Sequence, residues 1–190
     1  MIRAFVGLRV PGAVAIRLEG AQAGLPCGRP VPAENFHVTL AFLGERPGPV
    51  IEDVHSVLDG IRAPDFSLAV SGVGLFGGRR PTALYARIEP DPGLSHLRDK
   101  VLQAARRGGL SLPAERYVPH ITLARFGAGL RGEDAEKMQA FVATRLALSA
   151  GPFEAGAFVL FRSFLGNGHA RYEELAEYPL DGGHVLSGGW

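Results

Sequence analysis

Apolar and polar positions along this chain follow two periods, one helical and one of strands. Helical spacing marks four stretches. Residues 12–24 follow Pro11. Residues 48–62 place Val50, Ile51, Val54, Val57, Leu58 and Ile61 three and four apart, with Glu52, Asp53 and Asp59 off that stripe. Residues 92–107 repeat the pattern with Leu94, Leu97, Val101 and Leu102, and residues 132–145 open on Glu133 and Asp134, where acids favour a helix N-terminus. Between them, residues 2–9, 35–43, 66–72, 82–89, 117–126, 153–162 and 171–178 read as strands punctuated by Gly, Pro or Asp. The consecutive runs 66–72 and 82–89 predict a hairpin, so the sheet is at least partly antiparallel. Helices covering such sheets make the fold α+β rather than doubly wound parallel.

Composition narrows the class. At 190 residues and 46% hydrophobic, the chain can bury one sizeable core or two joined lobes. Twenty Lys and Arg against 19 Asp and Glu give no strong basic field, so any nucleic-acid partner is expected to be met at an end or over a few nucleotides. The single cysteine, Cys27, allows no internal disulfide and no multi-thiolate site, and is read as a bystander in a reducing compartment. No apolar run approaches the roughly 20 residues of a membrane helix. The start lacks the layout of a signal peptide. The expectation is therefore a cytoplasmic chain with no membrane partner.

One glycine pattern is a decoy. Gly72-Val73-Gly74-Leu75-Phe76-Gly77 has dinucleotide-binding spacing, but Gly78-Arg79-Arg80-Pro81 follows, which reads as a loop and not as the helix whose N-terminus that chemistry requires. Arg79 and Arg80 are read as a solvated turn.

The informative feature is a repeated octet. His37-Val38-Thr39-Leu40-Ala41-Phe42-Leu43-Gly44 and His120-Ile121-Thr122-Leu123-Ala124-Arg125-Phe126-Gly127 are identical at five of eight positions. Both read as strands, in which side chains alternate faces, so His37 shares a face with Thr39 and His120 with Thr122. Each copy offers an imidazole and a hydroxyl about 7 Å apart along the strand. Two such strands facing one another make a near-symmetric phosphate site. One histidine can act as base and the other as acid near neutrality, and the hydroxyls can donate to phosphate oxygens. Taken singly, each histidine or threonine also reads as an ordinary strand residue. No H-E-x-x-H and no Cys/His cluster is present, and the scheme requires neither metal nor cofactor.

With those residues in view, the sequence resembles the two-histidine phosphoesterases, and within them the RNA 2′,3′-cyclic phosphodiesterases historically named 2′,5′ RNA ligases. Besides the octets, the resemblance rests on Arg3-Ala4-Phe5-Val6-Gly7-Leu8, Glu34-Asn35-Phe36, Arg116-Tyr117-Val118-Pro119 and Arg162-Ser163 through Tyr172. It implies a bilobal α+β fold over residues 1–180, with two antiparallel sheets related by a pseudo-twofold axis around a cleft, helices outside and a flexible tail at 181–190. It further implies a monomer without cofactor that acts on RNA ends or nucleotides bearing a 2′,3′-cyclic phosphate; the alternative readings are the same site acting on another cyclic phosphate, a 2′,5′-linked oligonucleotide or a nucleotide-sugar, and a non-catalytic RNA-binding module on this fold. His37 becomes the proton donor to the leaving 3′ oxygen and His120 the acceptor from water, with Thr39 and Thr122 as phosphate donors, Phe42 for base stacking and Arg125 for phosphate or base. Tyr172 is a rim candidate. The stretch Cys27–Pro32 departs from relatives that carry tryptophan there. His55, His96, His169 and His184 lie outside the motifs.

Overall fold

The computed structural model describes residues 1–113, 116–164, 166 and 170–181. The chain runs β1 (Ile2–Arg9), α1 (Gly12–Ala21), β2 (Arg29–Pro30), a 3₁₀ turn at Ala33–Asn35, β3 (His37–Arg46), α2 (Gly48–Leu58), β4 (Phe66–Phe76), β5 (Ala83–Ile88), α3 (Pro92–Arg107), β6 (His120–Arg125), α4 (Gly132–Ala143), β7 (Ser149–Ala155), β8 (Ala157–Phe164) and β9 (Arg171–Pro179). All four expected helices form. The 12–24, 48–62 and 132–145 stretches stop earlier than expected, at Ala21, Leu58 and Ala143. Helix α3 starts where Asp91 accepts from the Leu94 N–H at 2.8 Å, an N-cap that satisfies one otherwise unpaired donor.

The strands hydrogen-bond in the order β7-β4-β5-β6-β3-β1-β8-β9. All of these pairs are antiparallel. The expected hairpin is β4–β5. The order reads as two four-stranded halves, β7-β4-β5-β6 and β3-β1-β8-β9, joined through one backbone pair, Val38 with Ile121. Strand–helix–strand–helix occurs once in each half, as β1-α1-β3-α2 and β5-α3-β6-α4. The halves interlock, because α1 packs on β7 and α3 on β3, each across the divide.

The single strand expected over 153–162 is two strands. The chain turns at Gly156, so β7 pairs with β4 in one half and β8 with β1 and β9 in the other. A continuous β-pattern hides such a crossover, since both arms have the same alternation.

The core lies between sheet and helices. Leu18 of α1, Val54 and Leu58 of α2, and Leu94, Leu97 and Val101 of α3 are fully buried against Val6, Val38, Leu84 and Ile121. A side chain of this kind contributes roughly 1.5–3 kcal/mol when buried. The decoy glycines have backbone reasons. Gly72 (φ 78°) leaves no room for a Cβ, which would lie 2.8 Å from the Leu146 carbonyl oxygen, and Gly77 (φ 101°) opens the β4–β5 turn. The tail from residue 182 onward lies outside the described residues.

Candidate active site

The Val38/Ile121 pair sets the geometry. Both side chains are wholly buried on the helix side. Opposite residues of an antiparallel pair share a face and successive residues alternate, so His37, Thr39, His120 and Thr122 all take the other face. Counting outward in that register sets Thr39 across from His120 and Thr122 across from His37. The two octets thus meet with each imidazole opposite the other copy's hydroxyl.

Past the threonines, alternation alone would turn Phe42 and Arg125 to the wrong face. On β1, Gly7 pairs with Thr39, Val6 with Ala41 and Phe5 with Phe42, which leaves Leu40 as an extra residue. On β5, Tyr85 pairs with Thr122, Leu84 with Ala124 and Ala83 with Arg125, which leaves Leu123 extra. A β-bulge therefore sits at the fourth residue of each octet and returns the sixth residue to the cleft face. The Leu123 carbonyl, freed from the β5 ladder, accepts from the Val31 N–H at 2.7 Å and from Gln22 Nε2 at 2.8 Å.

Both rings are held alike. His37 Nδ1 donates to the Asn35 carbonyl and His120 Nδ1 to the Val118 carbonyl, each at 2.7 Å. A carbonyl only accepts, so the proton of the neutral ring is on Nδ1 and Nε2 is left for chemistry. The Asn35 side chain also donates to the Ala170 carbonyl at 2.7 Å, tying the segment before β9 to the first motif.

Aromatic side chains back each ring. His37 lies 4.6 Å from Phe5 and edge-on to Tyr172 at 5.1 Å, and Phe161 stacks on Phe5 at 4.9 Å. Phe5, Val159 and Phe161 form their own apolar cluster under the cleft. His120 meets Phe76 at 4.8 Å and Tyr85 at 5.6 Å, both edge-on, and those two stack at 4.1 Å. Gly74 makes that possible, because a Cβ there would come within 2.6 Å of the Tyr85 ring. Burial pushes His37 down to about 4, with the charges of His120 and Arg125 adding to it. Burial, then Arg125, also lowers His120.

Two chambers open on this face. One, of about 870 Å³, takes in His37, Arg125, Tyr172 and residues 27–32, including Cys27. The other, of about 330 Å³, takes in His120, Thr39, Phe76 and Arg98. Phe42 lines both and is 61% exposed, so it is a wall between the chambers. Tyr117 links the halves by donating to the Thr39 carbonyl at 3.0 Å, with the Arg98 guanidinium 4.3 Å over its ring.

The six residues singled out from sequence therefore share one face. Of the others, Arg79 and Arg80 are exposed in the β4–β5 turn, His55 pairs at 2.7 Å with the Tyr178 hydroxyl behind the sheet, and His96 is exposed on α3. His169 and His184 lie outside the described residues. Of the supporting groups only Tyr172 is named as a candidate from sequence; Phe5, Phe161, Phe76, Tyr85 and Gln22 reach the site through strand register, and the anchoring carbonyls of Asn35 and Val118, though local, belong to the backbone and leave no mark in residue type. No helix among the described residues is long and apolar enough to cross a membrane.

Comparison with known proteins agrees with this geometry. The chain is 32% identical over 167 residues to an RNA 2′,3′-cyclic phosphodiesterase of Geobacillus stearothermophilus, covering 85% of this chain and 51% of that one, so it spans about half of that relative. It is 31% identical to the Escherichia coli protein of the same name, over 80% of each. Among solved structures, E. coli LigT complexed with 3′-AMP superposes with a TM-score of 0.74 at 26% identity, covering 94% of this chain and 98% of that one. A protein of Thermus thermophilus, TT0787, gives 0.75 at 25%, covering 96% and 100%. A family model described as the 2′-5′ RNA ligase superfamily matches residues 10–163, and with the fold and the paired motifs in agreement the chain belongs to that superfamily.

Proposed function

We propose that the protein is an RNA 2′,3′-cyclic phosphodiesterase that opens a terminal 2′,3′-cyclic phosphate to a 2′-phosphate by metal-independent acid–base catalysis. The observation that carries this reading is the meeting of two Nδ1-anchored imidazoles on one cleft face, where the Val38–Ile121 pair joins the two His-x-Thr strands. Relatives named for that activity support the substrate.

His120 Nε2 takes a proton from water as its oxygen attacks phosphorus. The P–O3′ bond breaks and His37 delivers a proton to O3′. Thr39 and Thr122 donate hydrogen bonds to the nonbridging oxygens, where charge develops. Phe42 stacks on the terminal base, and Arg125 contacts a phosphate or base of the RNA beside the reacting group. In the free protein burial holds both rings neutral near pH 7, so His37 acquires its proton with the substrate, whose phosphate charge favours the imidazolium. Both motifs come from one chain, so residues 1–180 acting as one unit suffice as a monomer, and the proposed setting is the cytoplasm.

The test is to incubate the protein in chelator with RNA ending in a 2′,3′-cyclic phosphate and with cyclic mononucleotides, then identify the products. A 2′-phosphate is expected. Unchanged RNA at high enzyme concentration sinks the proposal, and a 3′-phosphate reverses the leaving group.

A further inference from the structure

Arginines on the cleft side of this protein are not all placed alike. Arg9, across from His37, is held by Glu174 and Glu177. Arg3 lies across β1–β3 from Glu45. Arg29 has the opposite arrangement. It is the direct cross-strand partner of Arg125, because β2 pairs with β6 where β3 has diverged from it.

Residues so paired share a face, with Cβ atoms about 4.5–5.5 Å apart, and like charges at that position destabilise a sheet. Both arginines are exposed and line the larger chamber. The one carboxylate among that chamber's described lining residues, Asp134, lies beside Cys27, whose thiol is pushed up by burial first and by Asp134 second. Neither arginine has a salt-bridge partner among the described residues. Two guanidinium groups held together without a counter-ion form a fork suited to a phosphate.

Position says which phosphate. Thr122 and Arg125 lie opposite Tyr85 and Ala83, two residues apart on β5, so the arginine is about 7 Å along the strand from the hydroxyl. Thr39, Thr122 and His120 are absent from the lining of the larger chamber, which takes in Arg29, Arg125 and His37, so the two arginines face space beside the threonine-lined centre and within reach of the strand that leads into it.

We infer that Arg29 and Arg125 together clamp a phosphodiester of the RNA strand other than the one hydrolysed, so that the site favours a polynucleotide end over a cyclic mononucleotide. This rests on the proposed activity and adds Arg29 as its specificity-determining residue. It also gives residues 27–32, which line the larger chamber, a polar task.

The experiment compares wild type, Arg29→Ala and Arg29→Lys on a short RNA ending in a 2′,3′-cyclic phosphate and on the corresponding cyclic mononucleotide, over a range of salt. Arg29→Ala is expected to lower kcat/KM on the oligomer about tenfold more than on the mononucleotide. The magnitude of the slope of log affinity against log salt should fall by about 0.7, the value for one phosphate contact on a single strand. Arg29→Lys should restore the slope but only part of the affinity, since a lysine keeps the charge and loses the fork. The melting temperature of Arg29→Ala should not drop, because a like-charge pair is relieved. Equal losses on both substrates, an unaltered salt slope, or a lowered melting temperature overturns the clamp. Binding of an uncleavable oligonucleotide, followed by fluorescence anisotropy with the same variants, reads the clamp even where wild type hydrolyses neither substrate, an outcome that defeats the proposed activity instead.

Discussion

The two halves of the cleft carry the same parts in different surroundings. Each has an imidazole whose Nδ1 is anchored two residues upstream, a threonine two residues on, and a bulge at the next position. The His37 half adds Phe5, Phe161 and Tyr172 as an apolar wall, and its nearby Arg9 is neutralised by two glutamates. The His120 half adds Phe76 and Tyr85, with Arg125 exposed beside the chamber and paired with Arg29. Duplication supplies matched imidazoles and hydroxyls, and the unequal walls give them different surroundings, with the unpaired arginines on one side only among the described residues.

The largest effect that sharpens this comparison is loss of either ring. His37→Ala and His120→Ala should each lower turnover on the cyclic phosphate by on the order of 10²–10⁴, with the fold intact by circular dichroism. The two should part company on an aryl phosphodiester whose leaving group needs no proton. There the His37 variant recovers and the His120 variant does not. Recovery in the His120 variant alone would exchange the two roles.

Removing one hydroxyl comes next. Thr39→Val and Thr122→Val should each cost about 10² in kcat, as loss of one preorganised donor to a developing oxyanion does. Similar losses in both would extend the symmetry to charge stabilisation, whereas a loss confined to one shows that a single half carries it.

The pH dependence is a smaller test of the unequal walls. Catalysis needs one ring protonated and the other neutral, and both are lowered in the free protein. The kcat/KM profile should therefore be a bell whose maximum lies on the acid side of histidine's reference value of about 6.5, with activity falling as pH rises through neutrality. The alkaline limb of kcat should lie higher, because bound phosphate stabilises the imidazolium. The same shift has a stability sign. His37 resists protonation down to about 4, so the unfolded chain binds that proton first and stability is lost as pH falls from about 6.5 toward 4. A thermal melt series that is flat across that window contradicts the burial of this ring.

Gly74→Ala should have the smallest effect on activity. Its methyl group meets the Tyr85 ring and should destabilise the protein by about 1–3 kcal/mol, with a few-fold loss of turnover through displaced support for His120. Gly20→Ala, facing open space on α1, is the matched control and should be neutral in both measurements.

Much of this molecule was legible in the chain itself. The helices announced themselves through the spacing of Ile51, Val54 and Leu58 and of Leu94, Leu97 and Val101, because burying one stripe of a helix is a local pattern. The octets placed His and Thr on one face because strand alternation is also local. The turn at Gly156 was hidden, since the arms of a crossover have the same alternation and differ only in their partners.

By itself the sequence determined the residue types of the chemistry, their duplication, and the α+β class. Tertiary structure decided which of them meet. The bulges at Leu40 and Leu123 bring Phe42 and Arg125 back to the cleft, where alternation would have sent them away. The register of β2 against β6 sets Arg29 across from Arg125, and the strands neighbouring each motif supply the walls that lower His37 and His120. The physical reason is the same in each case. Register and burial depend on contacts between segments far apart in the chain, and a local pattern carries only one side of such a contact.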